Sequence, residues 1–231
     1  MKEKVLITNY VHPLLIDGLG EIGYEVIYQP HFDPVKLDAV LPDLAGIIIN
    51  SKIKMTAERI DLAQKIKFIA RLGSGLEIID TAHAAKKGVS VFNSPEGNRN
   101  AVAEHAMGML LALSNNLVKS DNEVREKQWK REENRGFELA GLSIGIIGFG
   151  NTGQSLARKL SGWALNISYC DPYLLDVSDD LSYIRKVSLY QLKQEADIIS
   201  LHVPLTPETT GMVDKAFIKS CKHNVIIIKA S

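Results

Sequence analysis

Gly148-Phe149-Gly150-Asn151-Thr152-Gly153 follows directly on the apolar run Ile144–Ile147 and directly precedes Gln154–Leu160, a segment with helical spacing. A strand, a turn with glycines at these spacings and a helix, in that order, restrict the chain more than any other feature. The first glycine permits a tight turn, the second lets a pyrophosphate approach the backbone, and the third lets the helix pack closely on the strand. The opening turn of the helix then offers unpaired N–H groups and the positive end of a dipole to an anion. Asp171 lies 18 positions after Gly153, at the end of the next strand. A carboxylate there accepts hydrogen bonds from an adenosine ribose and repels the extra phosphate of NADP, so the predicted cofactor is NAD. The competing account of the same residues is a glycine-rich turn and an ordinary surface Asp before Pro172.

The rest of the chain agrees with an α/β fold. Val5–Ile7, Glu25–Tyr28, Gly46–Asn50, Phe68–Ala70 and Val89–Phe92 read as strands, and Leu14–Leu19, Ala57–Lys65 and Ala82–Lys87 as helices, the last capped by Gly88. The turn formers of Asn93-Ser94-Pro95-Glu96-Gly97-Asn98 mark a domain boundary, giving domains 1–98 and 99–231. A long helix is expected over Asn100–Val118 and a polar, charge-dense one near Asp121–Lys130. A second strand series follows at Ser143–Ile147, Ile167–Cys170, Tyr183–Val187, Asp197–Leu201 and Val225–Lys229. Ile47-Ile48-Ile49 and Val225-Ile226-Ile227-Ile228 are unbroken apolar runs, the pattern of central parallel strands buried on both faces. The fold class is therefore two doubly wound parallel-sheet domains in tandem.

Composition removes several classes of function. Lys and Arg number 27 against 27 Asp and Glu, which leaves none of the net positive charge of a general nucleic-acid or anionic-membrane binder. Cys170 and Cys221 form no Cys-x-x-Cys pair, and no cluster has metal-ligand spacing. Val5-Leu6-Ile7 gives way to Thr8-Asn9 too soon for a signal peptide, and the stretch around Ala106–Leu113 is short of a bilayer span. A cytoplasmic protein acting on a small molecule is expected. His105 beside Glu104, Met107 and Met109 read as helix packing.

Three further segments carry a resemblance: Arg71-Leu72-Gly73-Ser74-Gly75-Leu76-Glu77; Asn93–Asn98 with Ala103-Glu104; and Leu201-His202-Val203-Pro204-Leu205-Thr206 with Thr209-Thr210-Gly211. Together with Gly148–Gly153, they make the chain resemble the D-isomer-specific 2-hydroxyacid dehydrogenases over almost its whole length, nearest the 3-phosphoglycerate dehydrogenase branch. The resemblance implies a flavodoxin-like substrate (lid) domain over 1–98 and an NAD-binding Rossmann domain over 99–231, incomplete at its C-terminus, with substrate in the cleft between them. It implies cofactor contacts at Ser74, Gly148, Gly150, Asn151, Thr152, Gly153, Asp171, His202, Val203, Pro204 and Ala230. It implies substrate contacts at Asn50, Ser51, Lys52, Gly73, Ser74, Gly75 and Asn98. Ser74 with its flanking glycines suits a carboxylate on physical grounds, since such a loop presents backbone N–H groups unhindered. Turn chemistry at Asn98 and strand termination at Pro204 account for those two equally well. A histidine placed like His202 is more often positional than catalytic. A homodimer through the cofactor domain is also implied, with the contact on Asn100–Val118 and the charged helix after it.

The sequence also departs from the family. The chemistry requires an Arg that binds the 2-oxo acid and a His held by a Glu that exchanges the proton at the C2 oxygen, and no residue of this chain matches them. Val225–Ser231 resembles the strand leading to that Arg, with Lys229 in place of the usual Asn. Asn50 stands where phosphoglycerate-specific relatives carry an Arg, leaving Lys52 as the nearby cation. The expectations are a hydride-transferring oxidoreductase acting on a D-2-hydroxy acid, 3-phosphoglycerate in serine synthesis being the first choice. A fragment or shortened reading frame is expected, with weak activity at best and an exposed apolar edge strand at Val225–Lys229. A non-catalytic NAD(H)-binding regulator and an inactive remnant stay open as alternatives.

Overall fold

The computed structural model describes residues 2–229, which divide into two compact units between Asn98 and Arg99. In unit 1 the elements run β1 (Lys4–Ile7), α1 (Pro13–Glu21), β2 (Glu25–Tyr28), α2 (Leu37–Val40), β3 (Leu44–Ile49), α3 (Ala57–Leu62), β4 (Phe68–Arg71), α4 (Thr81–Lys86) and β5 (Ser90–Phe92). The sheet is parallel with order β2-β1-β3-β4-β5, the flavodoxin-like winding. Alternate residues of one strand feed opposite cores: Leu6, Ile47 and Ile49 pack on one face, Val5, Ile7 and Ile48 on the other. All six residues of β3 are buried, as its unbroken apolar run requires. The short α2, between single 3₁₀ turns at Pro34–Lys36 and Leu41–Asp43, was not expected; Leu37 at its start and Leu41 of the turn after it are completely buried.

Unit 2 contains α5 (Arg99–Ser114), α6 (Leu117–Arg125), β6 (Ser143–Ile147), α7 (Asn151–Leu160), β7 (Asn166–Cys170), β8 (Arg185–Lys186), α8 (Leu189–Glu195), β9 (Ile198–Leu201), α9 (Lys215–Lys219) and β10 (Ile226–Lys229). The parallel order β10-β9-β6-β7-β8 places the direction switch between β6 and β9. In open α/β sheets ligands bind outside the carboxyl ends of the strands at such a switch. Ile144, Ile146, Phe149 and Leu156 fill one core with α5 and α7; Ile147, Ile199, Leu201 and Phe217 fill the other.

Several boundaries differ from expectation. The helix expected over Asn100–Val118 breaks at Asn116, which takes a left-handed φ of 51°. There Asn115 Nδ2 donates to the Leu111 carbonyl and Asn116 Nδ2 to the Arg135 carbonyl, so side-chain hydrogen bonds replace helix continuation. The charged helix accordingly starts at Leu117 and stops at Arg125, before the left-handed Lys127. The helix from Ala57 closes at Leu62, and only Arg185–Lys186 of the strand expected over Tyr183–Val187 pairs with β7. Helices α8 and α9 were missed, although Ser188 and Asp214 cap them. Val225–Ile228 has the apolar run of a central strand but lies at the sheet edge, as expected for Val225–Lys229 in this chain: it pairs only with β9 among the described residues, so Ile226 and Ile227 are half-buried.

Candidate functional site

At the carboxyl end of β6 the chain must reverse within three residues. Gly148 does so with φ +85°, and a Cβ there would lie 2.8 Å from the backbone of His202. A Cβ on Gly153 would collide with the Gly148 carbonyl, so α7 packs this closely only on a glycine. Gly150 is different: the space where its Cβ would stand is open. It is the N-cap of α7, and no side chain caps that end of the helix. The first-turn N–H groups of Asn151, Thr152 and Gly153 thus keep their donor capacity and face an unobstructed approach.

Two neighbouring strand ends complete this cluster. Asp171, following β7, accepts from the Phe149 N–H through Oδ2 at 2.8 Å and from Tyr173 and Leu174 N–H through Oδ1 at 2.9 and 3.1 Å. Three of roughly four acceptor positions on the carboxylate are used, which leaves one for a hydroxyl. Phe149 is fully buried and stacks on Tyr169 with ring centroids 4.1 Å apart. Beyond β9, the His202 N–H donates to the Ile147 carbonyl at 2.7 Å. The His202 ring contacts Ser200 Oγ through Nε2 at 2.8 Å and Thr152 Oγ1 through Nδ1 at 3.2 Å. Burial lowers its pKa to about 4, so the ring is neutral at pH 7. Val203 reaches the Gly148 turn, while the Pro204 carbonyl accepts from Thr209 Oγ1 at 2.6 Å. Tyr173 Oη donates to Glu208 Oε2 at 2.6 Å, joining the loops after β7 and β9. Gly148, Gly150, Asn151, Thr152, Gly153, Asp171, His202, Val203 and Pro204 therefore lie on adjacent strand ends or the turn they flank. Ala230 lies outside the described residues.

The expected substrate residues all belong to unit 1, and five of the seven, Asn50, Lys52, Gly73, Ser74 and Gly75, fall in two places. After β4, the Gly73 carbonyl accepts from Ser94 N–H at 3.0 Å, the Ser74 carbonyl from Asn93 Nδ2 at 2.6 Å and the Gly75 carbonyl from an Arg71 terminal nitrogen. The Ser74 and Gly75 N–H groups have no acceptor among the described residues, and the Glu77 carboxylate and Arg71 guanidinium crowd the space beside Gly75. Sequence reasoning missed Arg71 as a site residue. Its guanidinium pairs with Glu77 at 3.1 Å, and its buried Nε has no partner. The signal was an Arg preceding the glycine loop with an acid six positions later.

The second place is a concavity of about 220 Å³ outside β1 and β3, the direction switch of unit 1. Asn50 and Lys52 line it with Thr8, Asn9, His31 and Phe32. Asn50 Oδ1 accepts from the Lys52 N–H at 2.9 Å, and Tyr10 Oη lies 2.7 Å from His31 Nε2. Ser51 is exposed in the turn and does not line the concavity. Asn98 is exposed, and no hydrogen bond of its side chain joins it to either place.

The model for the D-isomer specific 2-hydroxyacid dehydrogenase, NAD binding domain, matches residues 107–231. D-3-phosphoglycerate dehydrogenase of Mycobacterium bovis is 35% identical over 227 residues, which are 98% of this chain and 43% of that protein. The chain thus spans less than half the length of this relative. Hydroxypyruvate reductase of Thermotoga maritima is 34% identical over 205 residues, 89% of this chain and 66% of that one. Among solved structures, a protein of Thermus thermophilus superposes with TM-score 0.84 at 28% identity, over 98% of this chain and 73% of that one. A glyoxylate reductase from Paecilomyes thermophila superposes with TM-score 0.87 over 99% of this chain and 73% of that one. At 20% identity that likeness concerns the fold alone.

Proposed function

The chain belongs to the D-isomer specific 2-hydroxyacid dehydrogenases, and from that premise we propose that it serves NAD-dependent hydride transfer at C2 of a D-2-hydroxy acid. 3-Phosphoglycerate, in serine synthesis, is the substrate favoured by the 35% identity to a phosphoglycerate dehydrogenase. The observation that carries the reading is the uncapped N-terminus of α7 beneath the open face of Gly150, with Asp171 hydrogen-bonded to the same turn. Bound there, NAD supplies the hydride acceptor for the alcohol, or as NADH the donor for the 2-oxo acid. The first turn of α7 holds the diphosphate, and the remaining acceptor position of Asp171 takes a ribose hydroxyl. The Ser74 and Gly75 N–H groups hold the substrate carboxylate, and Lys52 with the polar wall around it takes the substrate's far end. His202 is not given the proton exchange at the C2 oxygen, because it is buried, neutral and engaged with Ser200 and Thr152. With no residue of this chain matching the family's proton-exchanging His, that proton would pass to or from solvent water and turnover would be weak.

The same reading includes a homodimer through unit 2. Leu113, Leu117, Val118, Val124 and Trp129 are exposed on α5, α6 and the segment after them, with Val118 at 68% and Trp129 at 83%. The support for this contact is that these exposed apolar side chains fall on consecutive elements of unit 2. Among the described residues no helix is long and apolar enough to cross a membrane. We assign the protein to the cytoplasm because both cysteines are unpaired, which suits a reducing compartment. Calorimetric titration with NADH tests the reading: one site per chain is expected, with NADPH much weaker, and absence of heat on adding NADH overturns it. Turnover of 3-phosphoglycerate, hydroxypyruvate and other 2-oxo acids then identifies the substrate, and binding without turnover of any of them marks a regulator instead.

A further inference from the structure

We infer that Ser200 and His202 act as a positioning pair that turns the Thr152 hydroxyl proton outward, toward a phosphate oxygen at the N-terminus of α7. The inference rests on the dinucleotide reading of that site and adds a polar relay behind it. Ser200 is fully buried within β9, and its hydroxyl has one hydrogen-bond partner among the described residues, Nε2 of His202 at 2.8 Å. A buried hydroxyl that donates to nothing carries a desolvation penalty. The Ser200 proton is therefore directed at Nε2, which must hold a lone pair.

A neutral imidazole has one N–H, so the proton resides on Nδ1. The His202 ring is neutral because burial pushes its pKa down to about 4. Nδ1–H then donates to Thr152 Oγ1 at 3.2 Å. That bond uses Thr152 as an acceptor, and its own hydroxyl proton is left without a partner among the described residues. Thr152 is half-buried in the first turn of α7, next to the N–H groups that have no intrahelical acceptor. A side-chain donor is thus added to the backbone donors before any ligand arrives, and an oxyanion is the acceptor that such a group of donors fits. Reversing the relay, with Nε2–H donating to Ser200, leaves the buried serine proton unpaired and lets Thr152 spend its hydroxyl on Nδ1.

A double-mutant cycle on the full chain, read by calorimetric NADH affinity, tests this. Thr152→Val keeps shape and backbone, and weakens binding about tenfold, the worth of one hydrogen bond to a charged acceptor. Ser200→Ala removes only the donor that fixes the ring, and is expected to weaken binding roughly threefold in the wild-type background. In the Thr152→Val background it is expected to change nothing, because the hydroxyl it acts through is gone. An unchanged affinity for Ser200→Ala alone, or additive losses in the double variant, overturns the relay. Imidazole nitrogen shifts by NMR at pH 7 are an independent readout in cofactor-free protein: the proton is expected on Nδ1, and finding it on Nε2 overturns the inference whatever the binding results. If the wild type binds no NADH, the dinucleotide reading and the phosphate-directed part of this proposal fall together, while the nitrogen shifts still decide the relay.

Discussion

Asp171 Oδ2 accepts the backbone N–H of Phe149 at 2.8 Å, so the acid that closes β7 and the glycine turn that closes β6 are tied together. The bond explains how one carboxylate serves two ends. It pins the turn through Phe149, whose ring is anchored on Tyr169, and it keeps an acceptor position beside the Gly150 opening. Fold and ligand recognition share this side chain, so its substitution reports on both.

Asp171→Asn should therefore separate the nucleotides. An amide offers one oxygen in place of two, sets an NH2 against the backbone donors at Phe149 or Tyr173, and no longer repels a 2′-phosphate. We expect NADH affinity to fall roughly tenfold to thirtyfold, one to two hydrogen bonds' worth, while NADPH affinity falls less. Titrating both nucleotides checks this, and an unchanged NADPH-to-NADH ratio assigns Asp171 to the turn alone.

The glycines of the turn predict opposite phenotypes. Gly148→Ala forces a side chain onto φ +85° and against the His202 backbone, which should cost about 1–3 kcal/mol of stability. Gly150→Ala meets no protein atom within 4 Å, so stability should stay within about 0.5 kcal/mol. Its methyl group projects into the space left for a diphosphate, and NADH binding should be largely lost. Thermal unfolding and calorimetry on the two variants give the comparison. A stable Gly150→Ala that still binds normally removes the ligand from that face.

These glycines were legible in the sequence because each has a local steric cause: a turn, a close helix or an approach left open. The same holds for β3, whose three consecutive isoleucines face two cores in turn. The break at Asn116 was not legible. Apolar residues continue through it at helical spacing, and one of the bonds that stop the helix is donated by Asn116 Nδ2 to the Arg135 carbonyl, 19 positions away. Arg71 stood in the loop motif but was given no site role for a similar reason, since that role depends on a loop folding back to bring Gly75 and Glu77 within its reach. The apolar run Val225–Ile228 records what a strand is able to bury, and pairing decides how much it does. Ser188 and Asp214 were readable caps that went unused because the helices behind them span only about two turns or less.

Arg71→Gln should affect the 2-hydroxy acid and spare the nucleotide. The variant loses the ion pair with Glu77 and weakens the hold on the Gly75 carbonyl, which frees the loop whose N–H groups are to bind the carboxylate. In a chain that turns over, KM for the 2-oxo acid should rise about tenfold or more with NADH affinity unchanged. Equal losses for both ligands make Arg71 a structural residue of unit 1.

Leu117→Glu with Val118→Lys should dissociate a dimer formed through α6. Both side chains are more than half exposed, so neither variant opens a core, and monomer stability should change by less than about 0.5 kcal/mol. Sedimentation velocity is expected to read a dimer for the wild type and a monomer for the double variant. A wild type that sediments as a monomer at micromolar concentration excludes the interface.

Acid should weaken the fold through His202. An imidazole in the unfolded chain takes its proton near 6.5, whereas the buried ring holds out to about 4. Between those values the unfolded chain binds a proton that the folded chain refuses, so stability rises with pH across the window and is lost as pH falls from about 6.5 toward 4. The slope from this one group approaches about 1.4 kcal/mol per pH unit. Asp180 acts lower down: Arg158 holds its carboxyl at about 2, so its contribution fades only as pH falls from 3.8 toward that value. His202→Asn removes the titrating ring and should flatten the dependence of the urea midpoint on pH between 6.5 and 4.5. An identical slope in the variant means that His202 takes up its proton in the folded chain as readily as in the unfolded one.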